Sequence, residues 1–302
     1  MPQAPNIHIG PAGWSYPHWN GVVYPEARPR GFHALHFLSE FTDLVEINTS
    51  FYQPLRPEIT SVWLKKVDHN PRFLFTAMLN RRFTHERSLE PAEVAANKRG
   101  LWPLLKEGKL GCLLMQFPWA FRFTEENRAF LIKLRRTFHE FPLAAEMRHS
   151  SWMADEALGV FVDYRIGFCN LDIPQHVKTM PPTAFLTSGI AYVRLHGRNA
   201  GLGIQNFDAA PQNGQDCDYL YSAEELSEWK PRIERIARLA ERTFVVTNNH
   251  GGGRAIVNAL MLEELFGKTP AAVPAGLRRL YTSQLKALPV ETPVQNTLFE
   301  AA

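Results

Sequence analysis

Five apolar runs in this chain end in a pair of polar residues spaced i, i+2. They are Glu46 and Asn48 in LVEIN, Glu146 and Arg148 in LAAEMRH, Asn170 and Asp172 in GFCNLD, Arg194 and His196 in AYVRLH, and Asn248 and His250 in FVVTNNH. On a β-strand that spacing puts both members of a pair on one face and turns Val45, Ile47, Ala145, Met147, Val193 and Leu195 the other way. One inner surface is therefore expected to collect carboxylates, guanidiniums, imidazoles and amides at the carboxyl ends of several strands. Glu46 and Glu146 are the candidate acid/base groups, because desolvation can raise a carboxylate toward neutral pH. The structural alternative pairs each of them with Arg148 or Arg194, the usual remedy for a buried charge.

Three further chemistries draw on the same residues. His149, His196, His250, Asp172 and the two glutamates could gather around a divalent ion, although no HExxH or HxH spacing is present; the metal is unknown, and His85 is a further candidate. An anion site is expected where RLHGR and NNHGGGRA follow the seventh and eighth strands. There the amides of Gly252 and Gly253 open a helix near Arg254, and Arg194, Arg198 and Arg254 could fork onto phosphate or carboxylate oxygens. Aromatic and amide side chains surround the opening: Trp14, Tyr16, Trp19, Phe51, Tyr52, Phe117, Trp119 and Trp152, with Gln116 and Asn249 at strand ends. Rings opposite cations suit a flat polar ligand. Strand ends four and seven carry Gln116 and His196 rather than a carboxylate pair about 5 Å apart, which argues against ordinary glycoside hydrolysis.

The elements that must hold these groups alternate along the chain. Strand-like segments fall near 7 to 10, 44 to 48, 73 to 77, 112 to 117, 143 to 148, 166 to 171, 190 to 196 and 243 to 248. Helical patterns lie near 32 to 42, 58 to 67, 91 to 106, 125 to 138, 153 to 164, 223 to 241 and 254 to 266. Eight strands with crossover helices predict a single (β/α)8 barrel over 1 to 288, with irregular connections after strands six and seven and a tail over 289 to 302; an open doubly wound sheet is the alternative. The 302 residues can bury a large core, and the net charge of +3 is far short of the basic stripe that announces a nucleic-acid binder. Three cysteines, Cys112, Cys169 and Cys217, sit in no CxxC arrangement, so neither a disulfide framework nor a thiolate zinc site is expected. The start of the chain lacks the pattern of a secretory signal and no apolar stretch approaches eighteen residues, so a cytoplasmic protein with no membrane partner is expected.

The segments GWSYPHWNGVVYP, FTDLVEINTSFY, FTH, MQFP, AEMRHSSW, YVRLHGR and NNHGGGRAIVNA together resemble the YecE-like family, a domain of unknown function numbered seventy-two. The resemblance runs from about residue 7 to 262 and implies a TIM-type barrel with no established activity. It also implies a lysine near the end of the third strand, where this chain carries Met78. The tail adds a separate clue. In QNTLFEAA, Gln295, Leu298 and Phe299 resemble the anchors of peptides that enter the bacterial sliding clamp, while Asn296 and Thr297 depart from that pattern; a tail folded back onto the barrel is the alternative.

The expected function is an enzyme acting on a phosphate-bearing substrate, a nucleotide, sugar phosphate or nucleic acid, by acid/base or metal-assisted hydrolysis or lyase chemistry. Glu146 is the expected base or metal ligand, and Arg194, His196 and His250 would stabilise developing negative charge. The alternative is a noncatalytic anion-binding or scaffold module tethered through its tail.

Overall fold

A computed structural model describes residues 6–199, 218–268 and 273–288. Eight parallel strands form one sheet that curls into a nearly closed barrel: β1 (Ile7–Pro11), β2 (Leu44–Ile47), β3 (Leu74–Met78), β4 (Leu110–Gln116), β5 (Leu143–Glu146), β6 (Gly167–Asp172), β7 (Ile190–Leu195) and β8 (Arg242–Thr247). Every strand residue is buried except the first of β7 and β8, Ile190 and Arg242. A parallel sheet with helices outside and a filled interior requires this, and it explains why the strands read as near-continuous apolar runs. The seam lies between β1 and β2, which share a single bridge from Ala12 to Glu46. Gly10 permits that approach, since a Cβ there would stand 1.8 Å from the carbonyl oxygen of Leu44.

Helices connect the strands: α1 (Ala34–Leu38), α2 (Thr49–Tyr52), α3 (Pro57–Lys66), α4 (Arg81–Thr84), α5 (Pro91–Lys106), α6 (Glu125–Thr137), α7 (Asp155–Asp163), α8 (Ala223–Ala237), α9 (Arg254–Leu265), α10 (Ala275–Leu280) and α11 (Thr282–Leu285). Their starts are chemically marked. Pro57 and Pro91 open α3 and α5, where a missing N–H costs nothing, Thr124 caps α6, and Ser222 with Glu225 forms a reciprocal capping box on α8. The expected elements fall within a few residues of these, and 173–189 carries no helix. The short α2, α4, α10 and α11 were not anticipated, because four to six residues give too little periodicity to read. Among the described residues no helix is long and apolar enough to cross a membrane. Most of the long loop after β7 and all of 289–302, with Gln295, Leu298 and Phe299, lie outside the described residues.

Strand register fixes which side chains enter the barrel. Glu46 pairs with Thr76 and Thr76 with Cys112; Gln116 pairs with Glu146, Leu171 with Arg194, and Arg194 with Val246. Partners in register share a face, so Glu46, Thr76, Met78, Gln116, Glu146, Tyr192 and Arg194 all belong to the interior. On β6 the inward residues are Cys169 and Leu171. Asn170 and Asp172 consequently face outward, a correction to the expectation that all five polar pairs share one surface.

Candidate active site

Arg194, only 2% exposed, is the hub of the interior. Its Nη1 donates to Glu146 Oε2 and its Nη2 to Glu46 Oε1, each at 2.7 Å, and Met78 Sδ lies 3.6 Å from Nη2. Glu146 Oε1 accepts from Arg148 Nε at 2.9 Å. Glu46 Oε2 accepts from the Tyr192 hydroxyl at 2.7 Å, and that hydroxyl lies 2.9 Å from Thr76 Oγ1. Two carboxylates and two guanidiniums balance, which is what makes their burial tolerable; deleting one partner of such a set typically costs about 3–5 kcal/mol.

The two glutamates are not equivalent. Burial pushes the Glu46 carboxyl upward, against the pull of Arg194 and the Tyr192 hydroxyl. Burial acts the same way on Glu146, but Arg194, His196 and Arg148 together overcome it and hold this carboxyl well below its ordinary value. With its oxygens engaged by two arginines and its pKa depressed, Glu146 is a poor base, which corrects the role expected for it. Cys112 and Cys169 are buried free thiols, both pushed up by burial and therefore unreactive.

His196 sits next to this network. Its Nε2 is 3.6 Å from Glu146 Oε2 and its Nδ1 is 3.1 Å from Asn248 Nδ2. Burial, with Arg194 and Arg148 nearby, outweighs Glu146 and brings the imidazole down to about 4, so it is neutral at physiological pH. The Asn248 amide donates to Nδ1, which places the single ring proton on Nε2, facing the carboxylate.

A second layer closes over the first. The Tyr16 ring stacks on His250 at 4.3 Å, and the His250 carbonyl accepts from Trp19 Nε1 at 2.8 Å and lies 3.1 Å from His18 Nε2. Burial, and then His18, bring His250 to about 4. Asn48, at the start of α2, donates through Nδ2 to the Tyr16 hydroxyl at 3.4 Å. Four buried polar atoms around this opening have no hydrogen-bond partner among the described residues: Arg194 Nε, His196 Nε2, Asn48 Oδ1 and His250 Nδ1. Buried polar atoms are normally satisfied, so these four are candidates for contact with a ligand or an ordered water.

Glu46, Glu146, Arg148, Arg194, His196 and Asn248 are thus joined, with Gln116 in register beside Glu146, and Tyr16, Asn48 and His250 form the rim. Other expected residues are elsewhere. Asp172 accepts from Arg198 Nη2 at 2.8 Å and from Trp229 Nε1 at 2.5 Å, on the outer side against α8. Arg198 also reaches Glu228 at 2.9 Å and Glu225 at 3.5 Å, so three carboxylates hold it. Asn249 is buried, and its Nδ2 donates to Asn258 Oδ1 and to the Tyr219 carbonyl, both at 2.7 Å, while its Oδ1 has no partner among the described residues. The Trp14 ring packs edge-on against Trp63 of α3 at 4.9 Å, Tyr52 is 52% exposed, and Phe117, Phe121 and Trp152 stack within the core. His149 caps the 3-10 turn Ser150–Met153, and His85 lies edge-on to Phe51 at 5.2 Å.

The glycine turn offers an anion less than expected, because the Gly253 amide is already engaged. Gly252 and Gly253 take φ of 55° and 81°, which explains their identity as the tight passage from β8 into α9. The Gly253 amide donates to the His250 carbonyl at 3.2 Å, Tyr281 caps the Gly252 carbonyl at 2.8 Å, and Leu277 with Val23 packs over Gly253. Arg254 bonds Asp218 and the Gly251 carbonyl. Among the described residues no three His, Cys, Asp or Glu side chains gather as a metal-ligand set. Tyr192 and His18 were missed. The first had a readable signal, since it extends the Arg194/His196 alternation by one step; the second had none.

Comparison with known proteins places this architecture. The chain is 28% identical over 278 residues to UPF0759 protein YunF of Bacillus subtilis, covering 86% of this chain and 94% of that protein. A crystal structure of a DUF72 family protein from Thermotoga maritima superimposes with a TM-score of 0.75 at 30% identity, covering 87% of this chain and all 100% of the other. A DUF72 family protein from Enterococcus faecalis gives 0.74 at 24% identity, covering 87% and 96%. The profile described as Protein of unknown function DUF72 matches residues 8–282, and the chain belongs to that family.

Proposed function

We propose that the protein is an enzyme acting on a phosphate-bearing substrate, with the oxyanion held at the barrel mouth by Arg194 and His196. The observation that carries this is the pair of buried N–H donors, Arg194 Nε and His196 Nε2, which lie two residues apart on β7 without a partner among the described residues. Donors fixed in a desolvated site stabilise charge that develops during reaction without reorganising. Because His196 is neutral, it acts as a hydrogen-bond donor rather than as a cation, and the Glu146 carboxylate, 3.6 Å from Nε2, opposes its deprotonation. His250, held at about 4, is a weak base, and its buried Nδ1, free of protein hydrogen bonds among the described residues, is placed to accept a hydrogen bond from the substrate. Hydrolysis and elimination both fit this division of roles. Phosphate binding by Arg198 and by the Gly252–Gly253 amides is no part of it.

Inorganic phosphate tests the proposal in thermal melts. A ligand that binds only the folded state raises its apparent stability, so phosphate should raise the Tm of the wild type and not that of His196→Ala. No shift at high phosphate in the wild type would overturn it. The tail favours a second reading, a binding module tethered to a sliding clamp through Gln295, Leu298 and Phe299, and this rests on the sequence alone.

A further inference from the structure

We infer that the substrate carries a hydroxyl donor alongside its phosphate, as a polyol phosphate does, and that Asn48 is the residue that selects for it. This deepens the function proposed above and rests on it. The orientation of the Asn48 amide follows from its neighbour. Tyr16 has one hydroxyl hydrogen, and it goes to the Ala12 carbonyl at 2.7 Å. Toward Asn48 the phenol oxygen can only accept, so the group 3.4 Å away must be the amide nitrogen. Oδ1 is then turned away from Tyr16, buried, and without a partner among the described residues.

An amide oxygen needs a donor, and the dianionic phosphoryl group of a phosphate monoester has none to offer. Arg194 Nε and His196 Nε2 need the opposite, because both are donors. One ligand satisfies all three atoms only if it presents acceptor oxygens to the β7 side of the mouth and a hydroxyl to Asn48. His250, whose ring stacks on the same Tyr16, borders the same opening. The local backbone supports a role for Asn48 outside folding: it opens α2 with φ −83° and ψ −28° but its side chain makes no cap hydrogen bond, so the fold does not use its oxygen.

Calorimetric titration with methyl phosphate, a dianionic ester without a hydroxyl, and with glycerol 3-phosphate tests this on the full chain, wild type and Asn48→Ala. Glycerol 3-phosphate should bind the wild type about tenfold more tightly than methyl phosphate, the effect of one added hydrogen bond in a dry site. In Asn48→Ala the two affinities should converge. Equal affinities in the wild type would overturn the hydroxyl requirement and leave the phosphate site standing. A preference that survives in Asn48→Ala would overturn the assignment to Asn48. Binding of neither ester would remove the proposed function and this inference with it.

Discussion

The ends of β6 and β7 look alike in sequence, a polar pair spaced i, i+2 after an apolar run, yet they do opposite things. On β6, Asn170 bonds the Phe185 backbone through both ends of its amide, at 2.8 and 3.1 Å, and Thr183 at 2.7 Å. Asp172 is engaged by Arg198 and Trp229. Neither residue leaves an atom over, and together they fasten the barrel wall to the segment that follows it and to α8. At the end of β7, Arg194 and His196 face inward, Arg194 binds two carboxylates, and each residue retains a buried donor without a partner among the described residues. Residue type does not separate structural from functional polar groups here. Between these two strands, completeness of hydrogen bonding does.

The largest effect expected from this contrast is on stability. Arg194→Met would leave Glu46 and Glu146 buried without their shared cation and should cost about 3–5 kcal/mol in denaturant unfolding. Asp172→Ala should cost about 2 kcal/mol, because charged hydrogen bonds to Arg198 and Trp229 are lost, and should leave phosphate stabilisation intact. A loss of ligand binding in Asp172→Ala would break the distinction between the two strands.

The next effect is on pH dependence. His196 and His250 titrate at about 4 in the folded protein against an ordinary 6.5. Between those values the unfolded chain takes up protons that the folded one refuses, so stability should fall as pH drops from 6.5 to 4 and then level off, with a slope on the order of 1 kcal/mol per pH unit for each group. NMR titration of the ring resonances should give midpoints near 4. A midpoint near 6.5 for His196 would mean that it is not the buried neutral donor described above.

The smallest effect on the fold is expected from the tail. Replacing both Leu298 and Phe299 by Ala should abolish binding of a peptide-like tail to the host sliding clamp, itself with a Kd on the order of micromolar, and leave the Tm unchanged. A lowered Tm would make the tail a structural latch instead.

Much of the barrel is legible in the sequence, because alternating strand and helix segments with Pro57, Pro91, Thr124 and Ser222 at helix starts leave little freedom. The ends of the strands are legible for the same reason. The facing of each polar pair is not. A strand buried on both sides has no solvent face to set its phase, so GFCNLD and AYVRLH read alike until register with their neighbours separates them. The fate of Arg198 depends on Glu225 and Glu228, and that of the Gly253 amide on the His250 carbonyl; these are contacts between elements that spacing does not encode. Met78, at the place where the family resemblance implies a lysine, became interpretable only as a neighbour of Arg194.

A crystal structure of the protein grown with phosphate tests the central claim most directly. The account predicts an anion within hydrogen-bonding distance of both Arg194 Nε and His196 Nε2, inside the ring formed by Tyr16, Asn48 and His250. An anion bound instead at the Gly252–Gly253 turn or at Arg198, with the β7 donors still unengaged, would contradict it.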